Sequence, residues 1–210
     1  MQNRAATGRS GFEPRFVILP RLDRPFALFG HCLGALLLFE TARALINDHG
    51  AVPSHIFVSG ARPPDELHRQ QKFEEELTKQ MLAMSEYTLF EPLYRQSDKV
   101  FAEVIRGFRV AETERLLASA ELRQLMLPTI RADFEMGENY RYRQAPPLDV
   151  PITCLTGIND AYVTLANAQG WRRFTRKRFQ LHTLVSEHFI LVEDDRVVLE
   201  VVNREMAEIG

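Results

Sequence analysis

Phe26-Ala27-Leu28-Phe29-Gly30-His31-Cys32-Leu33-Gly34-Ala35-Leu36-Leu37 decides the fold. It opens as a short apolar run behind Pro25 and closes as a run that suits a helix. Between the two stands Gly-His-Cys-Leu-Gly, which fits the G-x-S-x-G nucleophile elbow with cysteine in the serine position. Such a turn holds its central residue in a strained backbone, so Gly30 and Gly34 are expected where a side chain would collide with the neighbouring strand or helix. The thiol of Cys32 is then lifted above the sheet, and the backbone N–H of Leu33 points at any oxyanion formed there. Leu33 also opens the helix, which puts the positive end of its dipole beside the sulfur. The same letters also fit a buried cysteine in a glycine-containing turn of some other α/β protein.

Outward from this turn the chain alternates. Residues 26–31 read as a strand, and residues 33–48 as a helix with Gly50 at the C′ position. Residues 55–59 read as a second strand ending at Gly60, which implies a right-handed parallel crossover. Residues 1–11 look like a frayed terminus, and the pattern at 12–22 leaves strand and helix both open. After Pro63-Pro64 the pattern turns helical, with helices expected at 73–84, 98–108 and 111–127. An all-helical block at 65–127 between strands of a parallel sheet reads as a lid. Its Met81, Leu82 and Met84 suit either ordinary core or an adaptable groove for greasy ligands.

Pro146, Pro147 and Pro151 mark the return to the sheet. A third strand is expected at 152–156 with a turn at Gly157-Ile158-Asn159-Asp160, then a helix at 162–174. A fourth strand at 179–185, the turn Ser186-Glu187-His188-Phe189 and a final helix at 190–208, at least from Asp194 on, complete one α/β domain over residues 1–210.

Composition removes several classes of function. The 210 residues carry a net charge of −2, with 45% hydrophobic and 26% charged residues, so nothing points to nucleic acid or an anionic membrane as the main partner. No apolar run approaches a membrane span, and the first ten residues lack the apolar core of a signal peptide. Two cysteines, Cys32 and Cys154, do not make a disulfide framework, so a cytoplasmic setting is expected. No Cys/His cluster has metal-ligand spacing, and neither a metal nor a cofactor is expected.

A cysteine nucleophile needs a base to take its proton and an acid to orient that base. Ligands of open parallel sheets bind beyond the carboxyl ends of the strands, and Cys32, Asp160 and His188 each follow a strand in this reading. Their order of nucleophile, acid and histidine is that of the α/β hydrolases. Asp160 also fits a plain Asx turn, and Asp133 is a rival acid at the end of the lid. His31 lies inside the elbow with its side chain expected to point away from Cys32, so packing suits it better than catalysis. His49, His55 and His68 read as surface residues, and His182 lies inside a strand. Cys154 reads as a buried small hydrophobe. The cluster Arg172, Arg173, Arg176, Lys177 and Arg178 reads as a solvated helix end, or else as a contact for an acidic partner or a phosphate.

With these residues in view, the chain resembles the type II thioesterases of nonribosomal peptide and polyketide synthesis, within the α/β-hydrolase superfamily. The likeness runs from Arg24-Pro25-Phe26-Ala27-Leu28-Phe29-Gly30-His31 and the elbow to Phe57-Val58-Ser59-Gly60-Ala61-Arg62-Pro63-Pro64. It continues through Leu127-Pro128, Arg131-Ala132-Asp133-Phe134, Tyr140, Tyr142, Pro151-Ile152, Gly157, Asp160, Trp171, Thr175 and His188-Phe189. The resemblance implies an α/β-hydrolase-like parallel sheet with an inserted helical lid. It implies removal of acyl groups from the phosphopantetheine arm of acidic acyl- or peptidyl-carrier proteins. Cys32 would be nucleophile, Asp160 acid and His188 base.

Three departures from the family accompany the likeness. The family has serine where Cys32 stands, and thiolate attack on a thioester leaves an acyl-enzyme still activated for transfer to water or to another acceptor. The family has glycine where Glu187 stands, a carboxylate placed to raise the histidine's pKa or to compete for its proton. The front of the chain reads as N-terminally truncated: 31 residues precede Cys32, and one βαβ unit takes roughly 30. The expectation is a missing second oxyanion donor, at a cost on the order of 100- to 1,000-fold in rate, and an unpaired edge on the elbow strand. A catalytically impaired carrier-binding relative and an acyltransferase or cyclase are therefore the alternatives to a hydrolase. Residues 67–90 read as an insertion in the lid.

Overall fold

Four short apolar runs become parallel strands because each is bounded by turn residues and too short for a helix. They are β1 (Ala27–His31), β2 (His55–Ser59), β3 (Ile152–Gly157) and β4 (Phe179–Leu184), in the sheet order β1-β2-β3-β4. The computed structural model describes residues 18–67, 91–107 and 113–208. The readings placed on residues 1–11, most of 12–22, the helix at 73–84 with Met81, Leu82 and Met84, His68, and most of the insertion at 67–90 lie outside the described residues. Register pairs Phe29 with Phe57, Ile56 with Ile152 and Cys154 with Leu181. The two central strands are buried along their whole length, as expected of a parallel sheet covered on both faces. Among the described residues β1 is the outermost strand on its side.

The helices are α1 (Leu33–His49), α2 (Asp98–Gly107), α3 (Thr113–Ala118), α4 (Ala120–Asn139), α5 (Leu165–Gly170), α6 (Ile190–Glu193) and α7 (Asp195–Ala207). Strand periodicity sorts the core into two layers. On one face Ile56, Val58, Ile152 and Cys154 meet Ala35, Leu38, Phe39 and Ala42 of α1 together with Ala168, Trp171 and Phe174. On the other, Phe57, Leu155 and Leu184 meet Ile190, Val198 and Val201. Trp171 is fully buried, and its indole N–H donates to the carbonyl of Ala61 at 2.8 Å. Gly50 ends α1 in a left-handed conformation, φ +64°, with its N–H on the carbonyl of Ile46.

Between β2 and β3 the chain leaves the sheet for α2, α3 and α4, which share a core of their own. Phe101, Ile105 and Leu127 pack with Leu116, Ile130 and Phe134. The end of α4 is tied to α1: the Tyr140 hydroxyl donates to Glu40 Oε1 at 2.6 Å, and Arg43 Nη1 donates to the same carboxylate at 2.8 Å. Burial and the Glu40 carboxylate both push the Tyr140 phenol up from its ordinary pKa.

Several element boundaries differ from the sequence reading, for local reasons. The helix expected at 111–127 is broken, because Ser119 turns extended and its Oγ caps α4 by accepting from Leu122 N–H at 3.2 Å. α4 then runs through Pro128 to Asn139. The helix expected at 162–174 shrinks to α5 and a 3-10 turn at Trp171–Phe174, because a capping box between Thr164 and Asn167 starts it late. The final helix divides at Asp194 into α6 and α7, and the longer part follows the residue from which the sequence pattern is firmest. β4 ends at Leu184, one residue early.

Candidate active site

Cys32 sits between the end of β1 and the first turn of α1 with φ +51° and ψ −121°. It is the one non-glycine residue with positive φ among those described, a conformation that costs on the order of 1–3 kcal/mol and persists only where the surroundings impose it. The surroundings are visible. Cys32 N–H donates to the carbonyl of Ser59 at 2.8 Å, and its own carbonyl accepts from Ala35 N–H at 3.0 Å. A Cβ on Gly30 would stand 2.3 Å from the carbonyl oxygen of Gly34 and 2.3 Å from Leu38 Cδ2, so only glycine lets α1 fold back this closely. Gly34 corrects the sequence reading: a Cβ there meets nothing within 4 Å, so Gly30 alone carries the steric requirement. The N–H of Leu33, the residue after Cys32, is among the first four of α1, which have no partner within the helix.

The turn after β3 brings in Asp160, and the turn after β4 brings in His188. Their approach depends on Gly157, where a Cβ would lie 2.2 Å from the carbonyl oxygens of both Ser186 and Glu187. Asp160 divides its carboxylate. Oδ1 accepts from the N–H groups of Tyr162 at 2.8 Å and Val163 at 3.0 Å, and Oδ2 bonds His188 Nδ1 at 2.9 Å. The Asx-turn reading and the acid reading are thus both realised, one on each oxygen. Both residues are buried. Burial by itself lowers the His188 pKa, but the hydrogen bond to Asp160, the hydrogen bond and charge of Cys32, and the charge of Asp160 outweigh it and raise it to about 9. The charge that does this comes from Asp160 and Cys32. With Nδ1 committed to Asp160, Nε2 is the nitrogen left for Cys32. The structure therefore brings Cys32, His188 and Asp160 together at the carboxyl end of the sheet.

The other candidates are placed elsewhere. His31 lies beside the site: its ring is 5.1 Å from the His188 ring, its Nδ1 is 2.9 Å from Ser59 Oγ, and Gly60 at φ +51° leaves room for it. Burial and the neighbouring His188 charge lower its pKa to about 4, so it stays neutral. His55 is buried rather than on the surface, with Nε2 on Thr153 Oγ1 at 2.8 Å, because β2 is central and has no exposed face. His182 lies 3.8 Å from Glu205, which itself pairs with Arg178. Asp133 is exposed on α4. Cys154 is fully buried, and burial raises its thiol pKa to about 12. The basic cluster bonds largely within the chain: Arg173 to Asp65 and Glu66, Arg176 to Asp149, Arg178 to Glu205 and Glu208.

Tyr162 escaped the sequence reading as a site residue. Its ring stands edge-on to His188 at 5.0 Å, and its position two residues after Asp160 was the available signal. Among the described residues no group of three His, Cys, Asp or Glu is placed to hold a metal ion, and no helix is long and apolar enough to cross a membrane.

Known proteins resemble this chain along most of its length. The family described as the thioesterase domain matches residues 17–206. LgrE of Brevibacillus parabrevis, named linear gramicidin dehydrogenase, is 34% identical over 190 residues, 88% of this chain and 64% of its own. GrsT of Aneurinibacillus migulanus, named gramicidin S biosynthesis protein, is 31% identical over 183 residues, 87% of this chain and 63% of its own. The structure of BorB, a type II thioesterase from the borrelidin biosynthetic cluster, is 31% identical and superposes with a TM-score of 0.64, covering 90% of this chain and 65% of BorB. The chain spans less than two thirds of the length of each of these relatives. With an α/β-hydrolase-like sheet, an elbow at Cys32 and a match along nearly its whole length, the chain belongs to the thioesterase domain family.

Proposed function

We propose that this chain is a thioesterase that hydrolyses acyl groups from the phosphopantetheine arm of carrier proteins in nonribosomal peptide or polyketide synthesis. The observation that carries the reading is the His188–Asp160 bond of 2.9 Å, buried beside a cysteine held at φ +51°. The pathway is supported by the relatives, one named for gramicidin S biosynthesis and one for the borrelidin cluster. Its setting is the cytoplasm, and its partner is an acyl- or peptidyl-carrier protein.

The chemistry follows from the positions. With its pKa raised to about 9, His188 already holds the proton, and Cys32 Sγ, as the charged partner of that imidazolium, attacks the thioester carbonyl carbon. The oxyanion of the tetrahedral intermediate faces the N–H of Leu33 at the N-terminus of α1. The bond to the pantetheine sulfur breaks, and His188 returns the proton to that sulfur. Water then attacks acyl-Cys32, giving a proton to His188, which hands it back to Sγ as the acid leaves. Asp160 keeps the imidazole in the required tautomer throughout. The α2–α4 insertion serves as the lid. α4 passes over the elbow, where a Cβ on Gly137 would stand 3.6 Å from Leu33 Cδ1.

The test is turnover of acyl-pantetheine and acyl-carrier substrates by wild type and Cys32→Ala. The variant is expected to lose on the order of 1,000-fold or more. Equal rates would remove Cys32 from the mechanism.

The cysteine itself favours a second reading. Attack by sulfur exchanges one thioester for another, so acyl-Cys32 keeps its activation and can serve an amine or alcohol acceptor. Intact mass spectrometry after incubation with an acyl thioester separates the readings. A transient adduct marks hydrolysis, and an adduct that persists in water but discharges to an acceptor marks acyl transfer. No adduct, with carrier binding retained, marks an impaired binding relative.

A further inference from the structure

Tyr162 touches both the catalytic pair and the helical insertion. Its ring meets His188 edge-on, with centroids 5.0 Å and planes 69° apart. Its backbone N–H donates to Asp160 Oδ1 at 2.8 Å. Its carbonyl accepts from Arg62 Nε at 2.9 Å. Its hydroxyl donates to the carbonyl of Gly107 on α2 at 2.5 Å. That bond spans 55 residues of sequence.

We propose that Tyr162 is a positioning residue that couples the seat of α2 to the orientation of the His188 imidazole. The inference rests on reading His188 as the base and α2–α4 as the lid. A tyrosine has two side-chain torsions, and here the backbone is pinned by Asp160 and Arg62 while the hydroxyl is pinned by Gly107. The ring between those pins has little freedom. A displacement of α2 pulls the hydroxyl, turns the ring and shifts the edge on which His188 leans. Asp160, Cys32 and His31 are the titratable groups around that imidazole, with Phe189 packed against its other side. A lid drawn down over an acyl chain thereby sets the base that serves the sulfur, and a lid held open relaxes it.

The test uses the full chain and two variants. Tyr162→Phe keeps the ring on His188 and cuts the bond to Gly107. Hydrogen exchange of the α2 amides is expected to speed up about fivefold, the equivalent of one lost hydrogen bond, with β2 and β3 amides unchanged. The His188 ring, followed by NMR, is expected to titrate below its wild-type midpoint. Tyr162→Leu removes the ring as well and is expected to move that midpoint further in the same direction.

Unchanged α2 exchange in Tyr162→Phe overturns the coupling. So does faster α2 exchange with a His188 midpoint identical to wild type. A rise in β2 and β3 exchange equal to that in α2 makes Tyr162 a piece of general packing and also overturns it. Neither readout needs turnover, so a wild type inert toward acyl thioesters would end the hydrolase reading while these two measurements still decide the coupling.

Discussion

Asp160 performs two roles with two oxygens, and substitution separates them. Asp160→Asn keeps a carbonyl oxygen for the N–H groups of Tyr162 and Val163 but gives up the carboxylate that fixes His188. Its reaction rate is expected to fall on the order of 10,000-fold, as when a triad acid loses its charge, with the turn intact. Asp160→Ala strands both N–H groups and is expected to be less stable than Asp160→Asn by about 1–3 kcal/mol in urea titration.

The pH dependence has a definite sign. His188 binds its proton more tightly in the folded chain, about 9 against an ordinary 6.5. Its pairing therefore stabilises the fold fully below about 6.5 and ceases to do so as pH rises through about 9. The stability lost in Asp160→Asn is expected to be larger at pH ~6 than at pH ~10. The glycines divide in the same way. Gly157→Ala drives a methyl into the carbonyls of Ser186 and Glu187, so it should displace the His188 loop and abolish turnover. Gly34→Ala meets open space inside α1 and is expected to stabilise the chain by about 0.5–1 kcal/mol, seen as a higher melting temperature.

At the level of elements, helix positions were legible and helix ends were not. Residues 33–48 carry an apolar face and a glycine at the C′ position, and α1 follows that reading to within a residue. Residues 111–127 carry apolar periodicity that runs straight across Ser119, yet the chain breaks there because a serine hydroxyl competes for the backbone N–H of Leu122. Ser119→Ala is expected to cost about 1 kcal/mol, which for a chain of this size lowers the melting temperature by roughly 2–4 °C. At Pro128 the boundary moves in the other direction. The expected helix ends at 127, but α4 passes through this proline to Asn139, with Leu127 and Ile130 on either side held in the core of the insertion.

The whole molecule is organised as a sheet with two faces and a helical insertion with its own core. The sheet layers centre on Trp171 and Phe57, and the insertion on Phe101, Ile105 and Leu127. Two separate cores imply two separable openings. Phe101→Ala is expected to remove about 3–5 kcal/mol from the insertion. Exchange protection should then be lost across α2, α3 and α4 while β2 and β3 keep theirs. Equal losses in both regions would mean the two cores open as one.

The sequence by itself determined the strands, the elbow, the order of Cys32, Asp160 and His188, and the family resemblance. Those follow from local pattern: apolar runs bounded by turn residues, and a glycine-flanked cysteine between a strand and a helix. Tertiary structure alone decided that Asp160 serves turn and histidine together, that Gly157 and not Gly34 is the tight contact, and that His55 is buried. It also decided that Tyr162 reaches from His188 to α2. Each of these depends on which segments pack across the sheet, and local pattern does not specify a contact such as that between Tyr162 and Gly107, 55 positions apart.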